Sequence, residues 1–126
     1  MSAMPASTDL KNKGRTEPAK GKAGRAERIH HPDTAALDLA TIMRTLGDPM
    51  RLEIVRLLGE EEEMLCGDVY ERLGLPASTG SYHAKLLRQA GVTRARAAGT
   101  QRLLSLRRED LESRFPGLVE LITAPR

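Results

Sequence analysis

One cysteine, Cys66, is all the thiol chemistry this 126-residue chain carries. No disulfide can close within the chain, and a cysteine-rich zinc cage is excluded for the same reason. Long apolar runs are absent as well. None approaches the roughly 18 residues needed to cross a bilayer, and the first residues lack the continuous apolar segment of a signal peptide, so a cytoplasmic protein with no membrane partner is expected. A nucleophile-base pair, a phosphate-cradling glycine loop and a closed metal site are also missing. That pattern argues against an enzyme and leaves no catalytic residue, metal ligand or cofactor to assign.

Two further absences divide the chain. Between Leu10 and Ile29 there is no large apolar residue, while Lys11, Lys13, Arg15, Lys20, Lys22, Arg25 and Arg28 alternate with Gly14, Pro18, Gly21 and Gly24. Such a stretch buries too little surface to offset its ordering entropy. Residues 1–32 therefore read as a disordered basic arm and residues 33–126 as the folded unit. Within that unit, no Asp or Glu occurs between Arg72 and Arg108, whereas Lys85, Arg88, Arg94, Arg96, Arg102 and Arg107 do. The formal net charge is only +3, but this segregation predicts one positive face, the footprint of a polyanionic partner.

What is present is helical periodicity. Asp33 after His31-Pro32 reads as the N-cap of a first helix whose Leu39, Ile42, Met43 and Leu46 recur at i, i+3, i+4 and i+7. Gly47 ends it. Asp48-Pro49 starts a second, an Asx cap followed by proline where its missing N–H costs nothing, with Met50, Ile54, Leu57 and Leu58 inward and Gly59 as the stop. Glu60 to Glu63 reads as a solvated loop. A short third helix carries Leu65, Val69 and Leu73 and ends at Gly74. The fourth, over residues 77–90, has His83, Leu86, Leu87 and Ala90 on its core face and Ser78, Ser81, Tyr82, Lys85 and Gln89 opposite. Residues 92–107 then switch to a two-stranded hairpin around Ala98-Gly99-Thr100, and Arg108 to Ile122 returns to helix, broken or kinked at Pro116.

A short helix, a glycine turn and a second helix with a small polar face is the arrangement that presents side chains to a DNA major groove. Ser, Thr, Tyr and Lys bond base edges and phosphates, and a basic hairpin alongside can follow the backbone. The fold class expected is mainly α with a small β-hairpin, a winged helix-turn-helix of order α-α-α-α-β-β-α.

The runs Leu46-Gly47-Asp48-Pro49-Met50-Arg51-Leu52-Glu53-Ile54-Val55-Arg56-Leu57-Leu58 and Ser81-Tyr82-His83-Ala84-Lys85-Leu86-Leu87-Arg88-Gln89-Ala90-Gly91-Val92 resemble the ArsR/SmtB winged-helix repressors, over about residues 38–122. The resemblance implies five helices with a two-stranded wing, a homodimer built by the first and last helices, and repression by binding double-stranded operator DNA. On it, Ser78, Thr79, Ser81, Tyr82, Lys85 and Gln89 are the candidate DNA-facing residues of the recognition helix, and Arg96, Thr100 and Arg102 those of the wing. Leu39, Ile42, Met43, Leu111, Phe115, Leu118 and Ile122 are the candidate dimer residues, because these stripes exceed what one small core can cover.

The sequence also departs from that family. Metal-responsive relatives place a Cys-x-Cys pair in the third helix, where this chain has Leu65-Cys66-Gly67-Asp68, and the last helix holds no histidine. The thiol metal site is absent, and the effector is left unassigned. Gly80 stands where a branched apolar residue is usual, at a cost of about 1 kcal/mol in helix propensity.

His83 reads as a core histidine rather than a ligand or base, and His30-His31 as an incidental pair in the arm. Cys66 reads as a small, partly buried helix residue, with a redox sensor as its alternative. A sequence-specific regulator is the leading functional reading. Nonspecific nucleic-acid or chromosome association through the arm is the alternative, and a protein-interaction module that no longer reads DNA is the third.

Overall fold

The computed structural model describes residues 29–125. Helices α1 (Leu39–Leu46), α2 (Pro49–Glu60), α3 (Cys66–Arg72) and α4 (Ala77–Gln89) are followed by strands β2 (Thr93–Ala98) and β3 (Gln101–Leu106), then by α5 (Arg108–Arg114) and α6 (Leu118–Thr123). A two-residue strand β1 (Met64–Leu65) precedes α3. The order is that of a winged helix-turn-helix, with helices packed on one side of a small antiparallel sheet.

Each helix starts where local chemistry permits. At α2 the Asp48 carboxylate accepts from the backbone N–H of Met50 (2.8 Å) and Arg51 (3.2 Å), and Pro49 occupies the first helical position. At α1 the cap is Asp38, which accepts from Thr41 N–H at 3.0 Å and Thr41 Oγ1 at 2.9 Å. Asp33, expected to cap this helix, opens only a 3₁₀ turn, Thr34–Ala36, and makes no side-chain cap bond. The chain must first straighten so that Leu37 can turn inward, where it is buried over Gly91.

The wing is three-stranded, in the order β1-β3-β2. Thr93 pairs with Leu106 and Ala98 with Gln101, and Met64 extends the sheet by pairing with Leu104. Leu65, expected inside the third helix, belongs to this strand. Alternation along β2 and β3 buries Thr93, Ala95, Leu104 and Leu106 toward the helices. Pro116 divides the last helix: α5 ends at Arg114, and Gly117 (φ +92°) precedes α6.

Ile42, Ile54, Leu58, Leu87 and Leu111 are fully enclosed, each contributing on the order of 1.5–3 kcal/mol of apolar burial. Val55, Val69, Leu118, Val119 and Ile122 belong to the same core, as do Leu37, Ala95, Leu104 and Leu106. Met50, expected in the α2 stripe, is only half-buried, and Val55 takes the place beside Ile54. Four residues expected at a dimer interface, Ile42, Leu111, Leu118 and Ile122, are consumed here, because α1, α5 and α6 close one chain's core. Among the described residues, the large non-aromatic apolar side chains left exposed are Leu39 (44% exposed), Met43 (43%) and Leu121 (69%), with Phe115 half-buried under the Arg114 guanidinium.

Of the arm expected over residues 1–32, residues 1–28 lie outside the described residues. Residues 29–32 belong to the folded unit. His31 Nε2 accepts from Ala95 N–H at 3.0 Å, and Arg107, nearly enclosed, donates to the Pro32 carbonyl at 2.9 Å. Asp110 joins this strap to the wing, accepting from Thr34 Oγ1, Arg107 Nε and Arg94 Nη2 at 2.9, 2.9 and 3.0 Å. The Arg107 and Thr34 hydrogen bonds hold the Asp110 carboxyl below its ordinary range. His31 is thus an anchor of the strap and not a member of an incidental pair.

Candidate nucleic-acid interface

The turn between α3 and α4 is built by α3's C-terminus. Gly74 adopts φ +68°, a left-handed conformation that a side chain would disfavour. Its N–H reaches the Glu71 carbonyl at 3.1 Å while Leu75 N–H reaches the Tyr70 carbonyl at 2.8 Å, a complete Schellman closure. The chain therefore leaves α3 sharply, and α4 follows after Leu75-Pro76. The two helices then approach closely at Gly80, which is buried against the Tyr70 ring. A β-carbon at residue 80 would lie 2.6 Å from Tyr70 Cγ. The glycine costs helix propensity and permits the interhelical contact.

Ser78, Ser81, Tyr82, Lys85 and Gln89 share one exposed face of α4, and Thr79 is exposed beside it. Tyr82 is 59% exposed, a large side chain with no core role. The opposite face holds Leu87 in the core. His83, half-buried, lies with Nδ1 3.4 Å from Arg51 Nη1, and Arg51 Nε donates to the Thr45 carbonyl at 2.7 Å. A guanidinium can only donate, so Arg51 ties α4 to α1 and α2 while His83 offers its nitrogen, as suits a structural histidine.

The wing divides by strand face. Arg102, opposite Ala97, turns toward α4 and is half-buried. Thr100 is exposed at the tip, next to Gly99. Arg96 lies on the other face of β2, gripped by Glu63: Nε and Nη2 each donate to a carboxylate oxygen at 2.8 Å. This bidentate pair keeps Glu63 below its usual carboxylate range. The Glu60 to Glu63 stretch is thus not merely solvated, and Arg96, expected to face DNA, is engaged by Glu63 in this structure.

Cys66 opens α3 at half exposure, its Sγ 3.7 Å from Gln101 Oε1, which also accepts from Gly67 N–H at 3.1 Å. That places the thiol beside the wing. Among the described residues no group of three or more His, Cys, Asp or Glu could hold a metal, and no helix is long and apolar enough to cross a membrane. Sequence reasoning missed Glu63, His31 and Tyr70 as positioning residues. Only the Gly80 anomaly, a small residue where a branched one is usual, signalled that a bulky partner such as Tyr70 had to face it.

Comparison with known proteins agrees with this geometry. A helix-turn-helix domain family matches residues 46–96. An uncharacterized HTH-type transcriptional regulator of Bacillus subtilis, YceK, is 37% identical over 84 residues, covering 66% of this chain and 84% of its own length. Among solved structures, the homodimeric winged helix-turn-helix DNA-binding domain of a possible ArsR-family regulator from Mycobacterium bovis matches with a TM-score of 0.58 at 25% identity, over 82% of this chain and 89% of that one. The transcriptional repressor PagR of Bacillus anthracis matches with a TM-score of 0.54 at 26% identity, over 66% and 90% respectively.

Proposed function

Because the chain belongs to the ArsR-type winged helix-turn-helix transcriptional regulators, which bind DNA and are not enzymes, we propose that it is a sequence-specific repressor that grips operator DNA as a homodimer. In this reading α4 enters the major groove and Ser78, Thr79, Ser81, Tyr82, Lys85 and Gln89 meet base edges and flanking phosphates. Arg102 and Thr100 approach the backbone from the wing.

The observation that carries the reading is the exposed polar face of α4 inside a stretch free of carboxylates from Arg72 to Arg108. Neither a core helix nor a solvated one needs that combination. The dimer is supported by Leu39, Met43 and Leu121, apolar side chains that the chain's own core leaves exposed. The Mycobacterium bovis domain is homodimeric and the Bacillus anthracis protein a repressor, and both properties are carried over here as part of the proposal. The inducing effector is not part of it.

Selection of bound genomic fragments tests the reading. Recovered operators should share half-sites about one helical turn apart. Substituting Tyr82→Ala and Ser81→Ala should erode discrimination between operator and random DNA, whereas Arg102→Ala should weaken both alike. Fragments without a common motif, bound equally by all variants, would favour nonspecific association instead.

A further inference from the structure

Between α4 and the inner face of the wing lies a cleft of about 450 Å³. Its floor is Ala95 and Ala97 of β2 with Leu104 of β3, its helix wall Ala77 and Ala84, and its far end Tyr70 beside Cys66. Strand positions that face a helix usually carry branched or aromatic residues. Here alanines leave the space open, and the volume falls within the roughly 300–1,000 Å³ typical of small-ligand sites.

Charge gives the cleft a direction. Lys85, Arg88 and Arg102 line it, and no carboxylate does among the described residues. Burial, and then the neighbouring Cys66 side chain, push the Tyr70 pKa up to about 12, so the hydroxyl at this end keeps its proton and adds no negative charge to the cleft. A flat apolar floor with a tyrosine at one end and cations along the rim suits a ligand that is apolar in the body and negative at one edge.

We propose that this cleft binds a small, flat aromatic carboxylate, its ring on Ala95, Ala97 and Leu104 and its negative charge among Lys85, Arg88 and Arg102. Ser81 and Lys85 belong both to the cleft lining and to the exposed face of α4. Occupancy therefore competes with DNA, and by linkage DNA weakens the ligand equally. This coupling rests on the assignment of α4 to DNA; the binding itself does not.

The test uses the full chain and 2-naphthoate, with 2-naphthamide as the uncharged control. Saturable binding of one naphthoate per chain is expected, at least about tenfold tighter than the amide, since the charged edge is what the cations select. Ala97→Leu fills the floor at an exposed wing position and should abolish binding, and naphthoate should slow alkylation of Cys66 in the wild type. Should Ala97→Leu fail to fold, amide chemical shifts of the wild-type protein decide: perturbation centred on Tyr70, Ala95, Ala97 and Leu104 supports the site, and perturbation elsewhere overturns it. Absence of saturable binding, equal binding of the amide, or full binding by a folded Ala97→Leu variant would each overturn it too. With a selected operator, naphthoate should release DNA from wild type and not from Ala97→Leu. Binding to the cleft without release would refute the coupling alone, and a protein that never binds DNA would refute the operator reading while the naphthoate titration still judges the cleft.

Discussion

The Tyr70 ring occupies the space that a side chain on Gly80 would need, with a β-carbon at 80 falling 2.6 Å from Cγ and 2.7 Å from Cε1. Propensity alone would make Gly80→Ala stabilising by about 1 kcal/mol. The contact reverses the sign. Gly80→Ala should lower stability by about 1–3 kcal/mol through overpacking, because an aromatic ring fixed between two helices gives way poorly. In a double-mutant cycle by chemical denaturation, Tyr70→Ala should relieve that penalty. Additive losses would mean that the two residues do not meet.

The Arg96–Glu63 pair yields a gain-of-affinity prediction. Glu63→Gln removes the carboxylate that now occupies the guanidinium. Arg96 then becomes available to a phosphate. Affinity for random DNA should rise modestly, and the logarithmic salt slope of binding should steepen by about 1. In Glu63→Gln/Arg96→Ala the steepening should vanish. An unchanged slope in the single variant would show that Arg96 does not reach the backbone.

His31 makes the strap sensitive to pH. Its pKa is lowered from 6.5, first by burial and then by Arg107, Arg94 and Arg88, and Nε2 must be unprotonated to accept from Ala95 N–H. The unfolded chain therefore binds the proton more readily. Its stabilising contribution is complete above pH 6.5 and is lost as pH falls toward the depressed folded value. Thermal melts from pH 8 to pH 5 should show this decline, and His31→Asn should flatten that part of the curve. A wild-type profile level across pH 6.5 would contradict it.

Within the dimer reading, α1 offers a sharp contrast. Met43→Asp, at an exposed position, should give a folded monomer by light scattering and circular dichroism. Ile42→Asp, one residue earlier and fully buried, should instead prevent folding, since an unpaired charge cannot be accommodated there. Should Met43→Asp remain dimeric at micromolar concentration, the interface lies elsewhere.

Thiol capture of a soft metal needs two or more convergent sulfurs, and each chain has one. DNA affinity should be insensitive to zinc and arsenite, and Cys66→Ser should bind DNA as the wild type does. Metal-driven release that disappears in Cys66→Ser would overturn this, and release by peroxide alone would make Cys66 a redox sensor.

Legibility in the sequence followed the range of the interactions. The Asp48-Pro49 start, the Gly74 turn, the extent of α4 and the break at Pro116 are local and could be read from spacing. The sequence points to Asp33 rather than Asp38 because both are followed by helix-compatible residues, and only the burial of Leu37 decides between them. Strand β1 is two residues long and exists through its pairing with Leu104, 40 positions away, so no periodicity announces it. The exposed face of α4 could be read, since a helical wheel separates it from Leu87. The wing arginines could not be, because whether Arg96 meets water or Glu63 depends on where a distant loop returns. Likewise the stripes of α1, α5 and α6 read as apolar, but one chain buries more of them than their spacing reveals.

The sheet has two outer strands, and the strap changes what one of them can do. An outer strand presents unpaired amide groups that invite a second molecule to add its own strand, the usual route to ordered aggregates. On β1 the strand is only two residues long. On β2 the amide of Ala95 is already satisfied by His31, and Arg94 and Arg96 flank it with charge. Acidification that protonates His31 therefore also uncovers a templating edge, and as pH falls below 6.5 toward the depressed His31 value the protein should become prone to self-association through the wing well before its helical core melts.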